Sequence, residues 1–170
     1  QALALPCFAP EIREARNEFH WATEDSIPEL ISADQICGDL HMHTTATDGK
    51  ASIGEMADAA RARGLNYIAI TDHSQRVTVA NGLNTERLLA QWTEIDRINT
   101  LRDDDFLILK GIECDILESG PMDLPDEVLE QADWVIASVH FGQKQSIQQI
   151  TDRITGALEN PHVDIIAHPT

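Results

Sequence analysis

The sequence predicts an α/β domain built on a parallel sheet, and three observations carry that prediction. From about residue 36 onward, short apolar runs alternate with helical patterns, giving five strands with four helices between them. Strands and helices in this alternation pair in parallel through right-handed crossovers. The chain has 170 residues, 42% hydrophobic and 24% charged, which is the profile of one soluble domain with a real core. Either a doubly wound sheet or part of a βα barrel satisfies the pattern.

The first apolar run is Ile36-Cys37-Gly38-Asp39-Leu40-His41-Met42-His43. A helix follows, with Ser52 as N-cap and Glu55 completing a capping box. Ile53, Met56, Ala57 and Ala60 lie on its apolar face, and Gly64 is its stop. Tyr67-Ile68-Ala69-Ile70-Thr71 is an aromatic and β-branched run suited to a buried strand. Asn84 or Thr85 caps a second helix carrying Leu88, Trp92 and Ile95, which leads to a strand at Phe106-Leu107-Ile108-Leu109. A short helix over Asp126–Ala132 precedes the strand Trp134-Val135-Ile136-Ala137-Ser138-Val139. A last helix with Ile147, Ile150, Ile154 and Ala157 leads to Val163-Asp164-Ile165-Ile166-Ala167. Residues 1–35 read as an N-terminal connector. Leu5-Pro6, Ala9-Pro10 and Ile27-Pro28 punctuate it, around one helix at Glu11–Phe19.

Several function classes are excluded. No apolar run approaches the roughly 18 residues of a membrane span, and no basic start leads an apolar stretch as in a secretion signal. The net charge is −17, and no cluster of Lys and Arg offers a duplex-binding surface. The acidity reflects solubility, carboxylates that hold divalent cations, or both. Cys7, Cys37 and Cys114 are an odd set without CxxC spacing, pointing to reduced thiols and a cytoplasmic location. A start at Gln1 and a stop at Pro169-Thr170 suggest an excised piece.

Chemistry concentrates at one rim. His41 and His43 end the first predicted strand, His73 the second, His140 the fourth and His168 the fifth. Gly111-Ile112-Glu113 puts a carboxylate in the matching place on the third. Strand C-terminal ends form the active face of both candidate architectures. Neutral imidazole with carboxylate suits zinc, manganese or iron. The one-residue spacing of His41 and His43 sends both to one face of a strand, and the turn Thr47-Asp48-Gly49 can bring a further carboxylate over the rim. Glu113 is the natural bridge between two ions, whereas Cys114 faces the core and His20 and His162 lie off the rim.

The motifs Asp39-Leu40-His41-Met42-His43-Thr44, Asp48-Gly49, Ile70-Thr71-Asp72-His73-Ser74, Gly111-Ile112-Glu113, Ser138-Val139-His140 and Ala167-His168-Pro169 together resemble the PHP (polymerase and histidinol phosphatase) family over residues 36–170. Leu5-Pro6, Pro10-Glu11-Ile12-Arg13-Glu14 and Ile27-Pro28-Glu29-Leu30-Ile31, followed by Asp34 and Gly38-Asp39, look like the connector before the PHP domain of bacterial family X DNA polymerases. The resemblance implies a partial distorted (βα)7 TIM-like barrel with about five of seven strands present, preceded by the helical connector and truncated at its C-terminus. It implies up to three divalent metals, with His41, His43 and Glu113 on the first, Glu113, His140 and His168 on the second, and Asp48 and His73 on the third. It also implies phosphoester hydrolysis, in the polymerase-linked members a 3′–5′ exonuclease or DNA end-processing activity, with polymerase domains N-terminal to the connector. Glu113 would be catalytic, and Asp72 would orient a ligand, accept a proton or serve as a structural hydrogen-bond acceptor. Two family ligands fall beyond residue 170, so the fragment is expected to be impaired and to self-associate through open strand edges. The rival expectations are a small-phosphomonoester phosphatase, an amidohydrolase-type enzyme and a non-catalytic metal module.

Overall fold

The computed structural model describes residues 6–169, so Leu5 of the expected Leu5-Pro6 break and the terminal Thr170 lie outside the described residues. The chain divides between Ile36 and Cys37 into two compact units. In the N-terminal unit the expected helix over Glu11–Phe19 does not form. A 3-10 turn takes Pro10–Ile12, and helix α1 runs later, over Glu18–Glu24. Ala15 adopts φ +54°, which breaks any helix through it, and the Ala15 and Arg16 N–H groups donate to the Glu18 carboxylate at 2.6 and 2.7 Å. Neither element buries a residue, so no packing face enforces the helical period read from the sequence.

The second unit alternates strand and helix: β1 Gly38–Met42, α2 Ile53–Ala62, β2 Tyr67–Ile70, α3 Thr85–Leu101, β3 Leu107–Asp115, α4 Asp126–Leu129, β4 Trp134–Ser138, α5 Ile147–Glu159 and β5 Ile165–Ile166. Ser52 and Glu55 close the capping box of α2, and Asn84 rather than Thr85 caps α3 by accepting from the Arg87 N–H. Ser146 and Gln149 form a further capping box on α5. The strands lie in chain order, β1-β2-β3-β4-β5, and every pair is parallel. A doubly wound sheet reverses its order at a switch point. This one never does, so the unit is part of a βα barrel. The curl is measurable. His41 on β1 and His168 beyond β5 have ring centroids 6.4 Å apart, whereas a flat sheet would hold the outer strands roughly 19 Å apart.

The core lies between the outer face of the sheet and the helices. Ile68, Ile70, Ile108, Ile112 and Cys114 face Ala57 and Ala60 of α2 and Leu88, Trp92 and Ile95 of α3, all within one buried cluster. Each fully buried isoleucine contributes about 1.5–3 kcal/mol relative to an exposed one. β3 is longer than the run Phe106–Leu109 suggested and places Glu113 inside the strand. Lys110-Gly111 interrupts the apolar run, but the strand reaches the expected Glu113 and ends two residues later at Asp115. Gly111 is required there, because a Cβ would lie 2.8 Å from the Ile70 carbonyl oxygen and 3.1 Å from that of Trp134. Its own carbonyl accepts from the Trp92 indole N–H at 3.1 Å, fastening α3 beside the strand that carries Glu113. Among the described residues no helix is long and apolar enough to cross a membrane.

Candidate metal centre

Glu113 stands at the centre of the rim, its side chain 1% exposed. The two carboxylate oxygens face different partners. Oε2 lies 3.4 Å from His41 Nε2, 3.5 Å from His43 Nε2 and 3.0 Å from His73 Nδ1. Oε1 lies 3.4 Å from His140 Nε2 and 2.8 Å from His168 Nε2. Asp48, half exposed on its turn, sets Oδ1 3.5 Å from His43 Nδ1 and Oδ2 3.5 Å from His73 Nε2. Thus the seven residues singled out as ligands meet at one mouth of the sheet. Three trios offer ligand atoms all within 4.8 Å of one another: His41, His43 and Glu113; His43, Asp48 and His73; and His73, Glu113 and His140. His168 belongs to none of these trios. It reaches Glu113 singly, from a backbone at φ +26° and with its side chain half exposed.

The backbone holds these ends rigidly. The Glu113 N–H donates to the Asp72 carbonyl at 3.1 Å and the Ser74 N–H to the Glu113 carbonyl at 3.0 Å, so pairing of the second and third strands continues through His73. Gly49 lets the Asp48 turn fold back, since a Cβ there would sit 2.2 Å from the His43 carbonyl oxygen. Asp72 is fully buried, and its carboxylate is occupied. It accepts from the Thr44 N–H at 2.8 Å, the Thr44 hydroxyl at 2.6 Å, the Thr47 hydroxyl and the Gln91 amide at 2.6 Å. That network ties the loop after β1 to α3.

Electrostatics favour cations here. Burial alone would raise the Glu113 pKa, but the imidazoles of His140, His41, His73 and His168 hold its carboxyl well below the usual range. Glu113 raises His41 against the opposing effect of burial. His43 is lowered by burial and then by its neighbour His73, and so is poised neutral. His140 is pushed up to about 9 by Asp115 and then Glu113. The His43 and His73 rings are 4.3 Å apart, and two imidazolium charges at that distance repel by about 4 kcal/mol at an effective dielectric near 20. His43 Nδ1 and His73 Nδ1 are buried and make no well-aligned hydrogen bond among the described residues, each facing a carboxylate oxygen, Asp48 Oδ1 at 3.5 Å and Glu113 Oε2 at 3.0 Å. Imidazole nitrogens turned toward carboxylates without well-aligned hydrogen bonds are a donor set suited to a divalent cation, so these residues fit such an ion.

Some polar residues of the site were not picked out from the sequence. Asp115 lies on the same face of β3 as Glu113, two residues on, and that period was the available signal. Thr44 and Thr47 lie within the rim motifs without a role of their own being read there, and Gln91, on α3, carries no sequence signal. His20, on α1, and His162, between α5 and β5, join none of the three trios. Cys114 faces the core, where burial pushes its thiol up to about 12.

With the geometry in view, similarity to known proteins is informative. A sequence profile described as PHP domain matches residues 39–167. "DNA polymerase/3'-5' exonuclease PolX" of Bacillus subtilis is 53% identical over 166 residues, covering 98% of this chain and 29% of that protein. A "probable phosphatase" of Acetivibrio thermocellus is 36% identical over 135 residues, and one of Thermoanaerobacter sp. is 35% identical over 139; each alignment covers 77% of this chain and 53% of the relative. The chain therefore spans under a third of the first protein and about half of the others.

Proposed function

The chain belongs to the PHP domain family, and from that premise we propose that it is a metal-dependent phosphoesterase acting on DNA 3′ ends as the 3′–5′ exonuclease module of a bacterial family X DNA polymerase. The division of the Glu113 oxygens between His41, His43 and His73 on one side and His140 and His168 on the other carries the reading. One carboxylate shared by two imidazole groups is the arrangement that bridges a pair of ions. The polymerase context is favoured because an alignment of 166 residues must include the N-terminal unit as well as the barrel.

In this reading His41, His43 and Glu113 would hold one cation, Glu113, His140 and His168 a second, with His73 close by, and Asp48 and His73 a third; manganese, zinc and iron would all suit the donors. Such cations, when bound, would supply a lowered water pKa and charge compensation for phosphoryl oxygens. The protein's own part is to fix these side chains before substrate arrives. Asp72, with its lone pairs committed to Thr44, Thr47 and Gln91, acts as a positioning residue for the Asp48 loop rather than as a proton acceptor. The setting that follows is cytoplasmic DNA end processing in repair, with polymerase domains preceding residue 1.

The test is Glu113→Gln in the full-length protein, assayed with Mn2+ on single-stranded DNA. The amide cannot bridge, so nuclease rate falls by about 100-fold or more. Unchanged rate with full metal content overturns the assignment. The names of the shorter relatives favour a second reading, hydrolysis of small phosphomonoesters. Turnover of such an ester well above that of DNA by the same protein would select it.

A further inference from the structure

Asp115 is fully buried, and the side-chain hydrogen bonds it makes among the described residues all go to one residue. Its Oδ1 accepts from the His140 backbone N–H at 2.9 Å and lies 3.1 Å from His140 Nδ1. Its Oδ2 is buried with no hydrogen-bond partner among the described residues. A carboxylate is costly to bury, and both side-chain contacts of this one end on a single rim residue, His140. Register explains its aim. Asp115 pairs with Ser138 across β3 and β4, and His140 lies two residues beyond Ser138 on the same face. The Ser138 hydroxyl, 3.1 Å from the same Nδ1, is the ring's other polar neighbour on that side.

We propose that Asp115 is a positioning residue that holds the proton of His140 on Nδ1, so that Nε2, 3.4 Å from Glu113 Oε1, presents its lone pair to the cation shared through Glu113. This rests on the metal reading above and adds a residue to it. One oxygen grips both the backbone and the ring of His140, fixing the tautomer and the ring orientation together. Ser138 contributes less, because a hydroxyl rotates and accepts more weakly than a carboxylate.

The experiment uses Zn2+ as the probe, because it is diamagnetic. In the Zn2+-loaded wild-type chain, long-range proton–nitrogen NMR of the His140 ring is expected to show a protonated Nδ1 and a zinc-shifted Nε2. Asp115→Ala is expected to weaken one zinc equivalent 10–100-fold in chelator competition and to abolish the Nε2 shift. Asp115→Asn, which keeps an acceptor oxygen, should recover much of both. Wild-type zinc affinity and Nε2 ligation in Asp115→Ala would overturn the role of Asp115 and leave the metal centre standing. No zinc shift on any rim histidine of the wild-type chain would overturn the metal reading and this role together. If Asp115→Ala fails to fold, the wild-type spectrum still decides, because ligation through Nδ1 contradicts the proposal.

Discussion

Cys114 follows Glu113 on β3, and strand alternation sends the two side chains to opposite faces, one to the rim cluster and one to the core. Burial pushes the Cys114 thiol up to about 12, so near pH 8 it stays protonated, and thiolate is the reactive species. Cys7 and Cys37 are exposed. In the native protein a chromogenic disulfide reagent at pH 8 is therefore expected to titrate two thiols quickly and the third only after denaturant is added. Three fast thiols would show that the core face of β3 opens readily. The sign of the linkage is equally definite. The folded state favours the protonated thiol, so this contribution is complete below the ordinary thiol pKa near 9 and is lost as pH rises toward 12. Single residues were legible in the sequence where their chemistry is rare. Histidines at strand ends stood out for that reason, and Glu113 stood out by its matching place at the end of the third strand. Asp72 was singled out with its role left open and Asp115 was not singled out, because an acid in an acidic chain reveals its partners only when the strands are paired.

Elements were legible to the degree that local signals set them. The capping residues of α2 and α3 are written in the sequence, and both helices begin where those residues place them. The apolar run of β3 is interrupted by a lysine and a glycine, yet its end at Glu113 was expected and the strand runs only two residues further; the reason for Gly111 lies in neighbouring strands. Periodicity alone left open the choice between a reversing sheet and a curled one, since strand order is a property of long-range pairing; the resemblance to the PHP family implied the barrel, and the strand order bears it out. Two glycine substitutions test this division. Gly111→Ala drives a Cβ against two backbone carbonyls and is expected to cost about 1–3 kcal/mol, or roughly 3–10 °C in Tm. Gly156→Ala, inside α5 with open space around the new Cβ, is expected to stabilise by about 1 kcal/mol. Thermal unfolding followed by circular dichroism reads both. Equal effects of the same sign would mean that helix propensity and close strand approach are not what separates these positions.

At the scale of the whole molecule, two tendencies oppose each other. The outer edges of β1 and β5 pair with no strand among the described residues, and Ile165 on β5 is 45% exposed. Unpaired edges template association. Against this, a net charge of −17 makes any two copies repel, and Asp39 on β1 blunts that edge. The repulsion is screened by salt, with a Debye length of about 30 Å at 0.01 M falling to about 8 Å at 0.15 M, whereas apolar edge contact is not. We therefore expect the 170-residue chain to be largely monomeric at low ionic strength and to associate as salt is raised, with sedimentation velocity showing a concentration-dependent dimer or larger species. Ile165→Lys, which puts a charge on the β5 edge, is expected to shift that equilibrium back toward monomer. A chain that stays monomeric at high salt and high concentration would mean that the open edges are already protected. Association unaffected by Ile165→Lys would place the contact on the β1 edge or on a different surface.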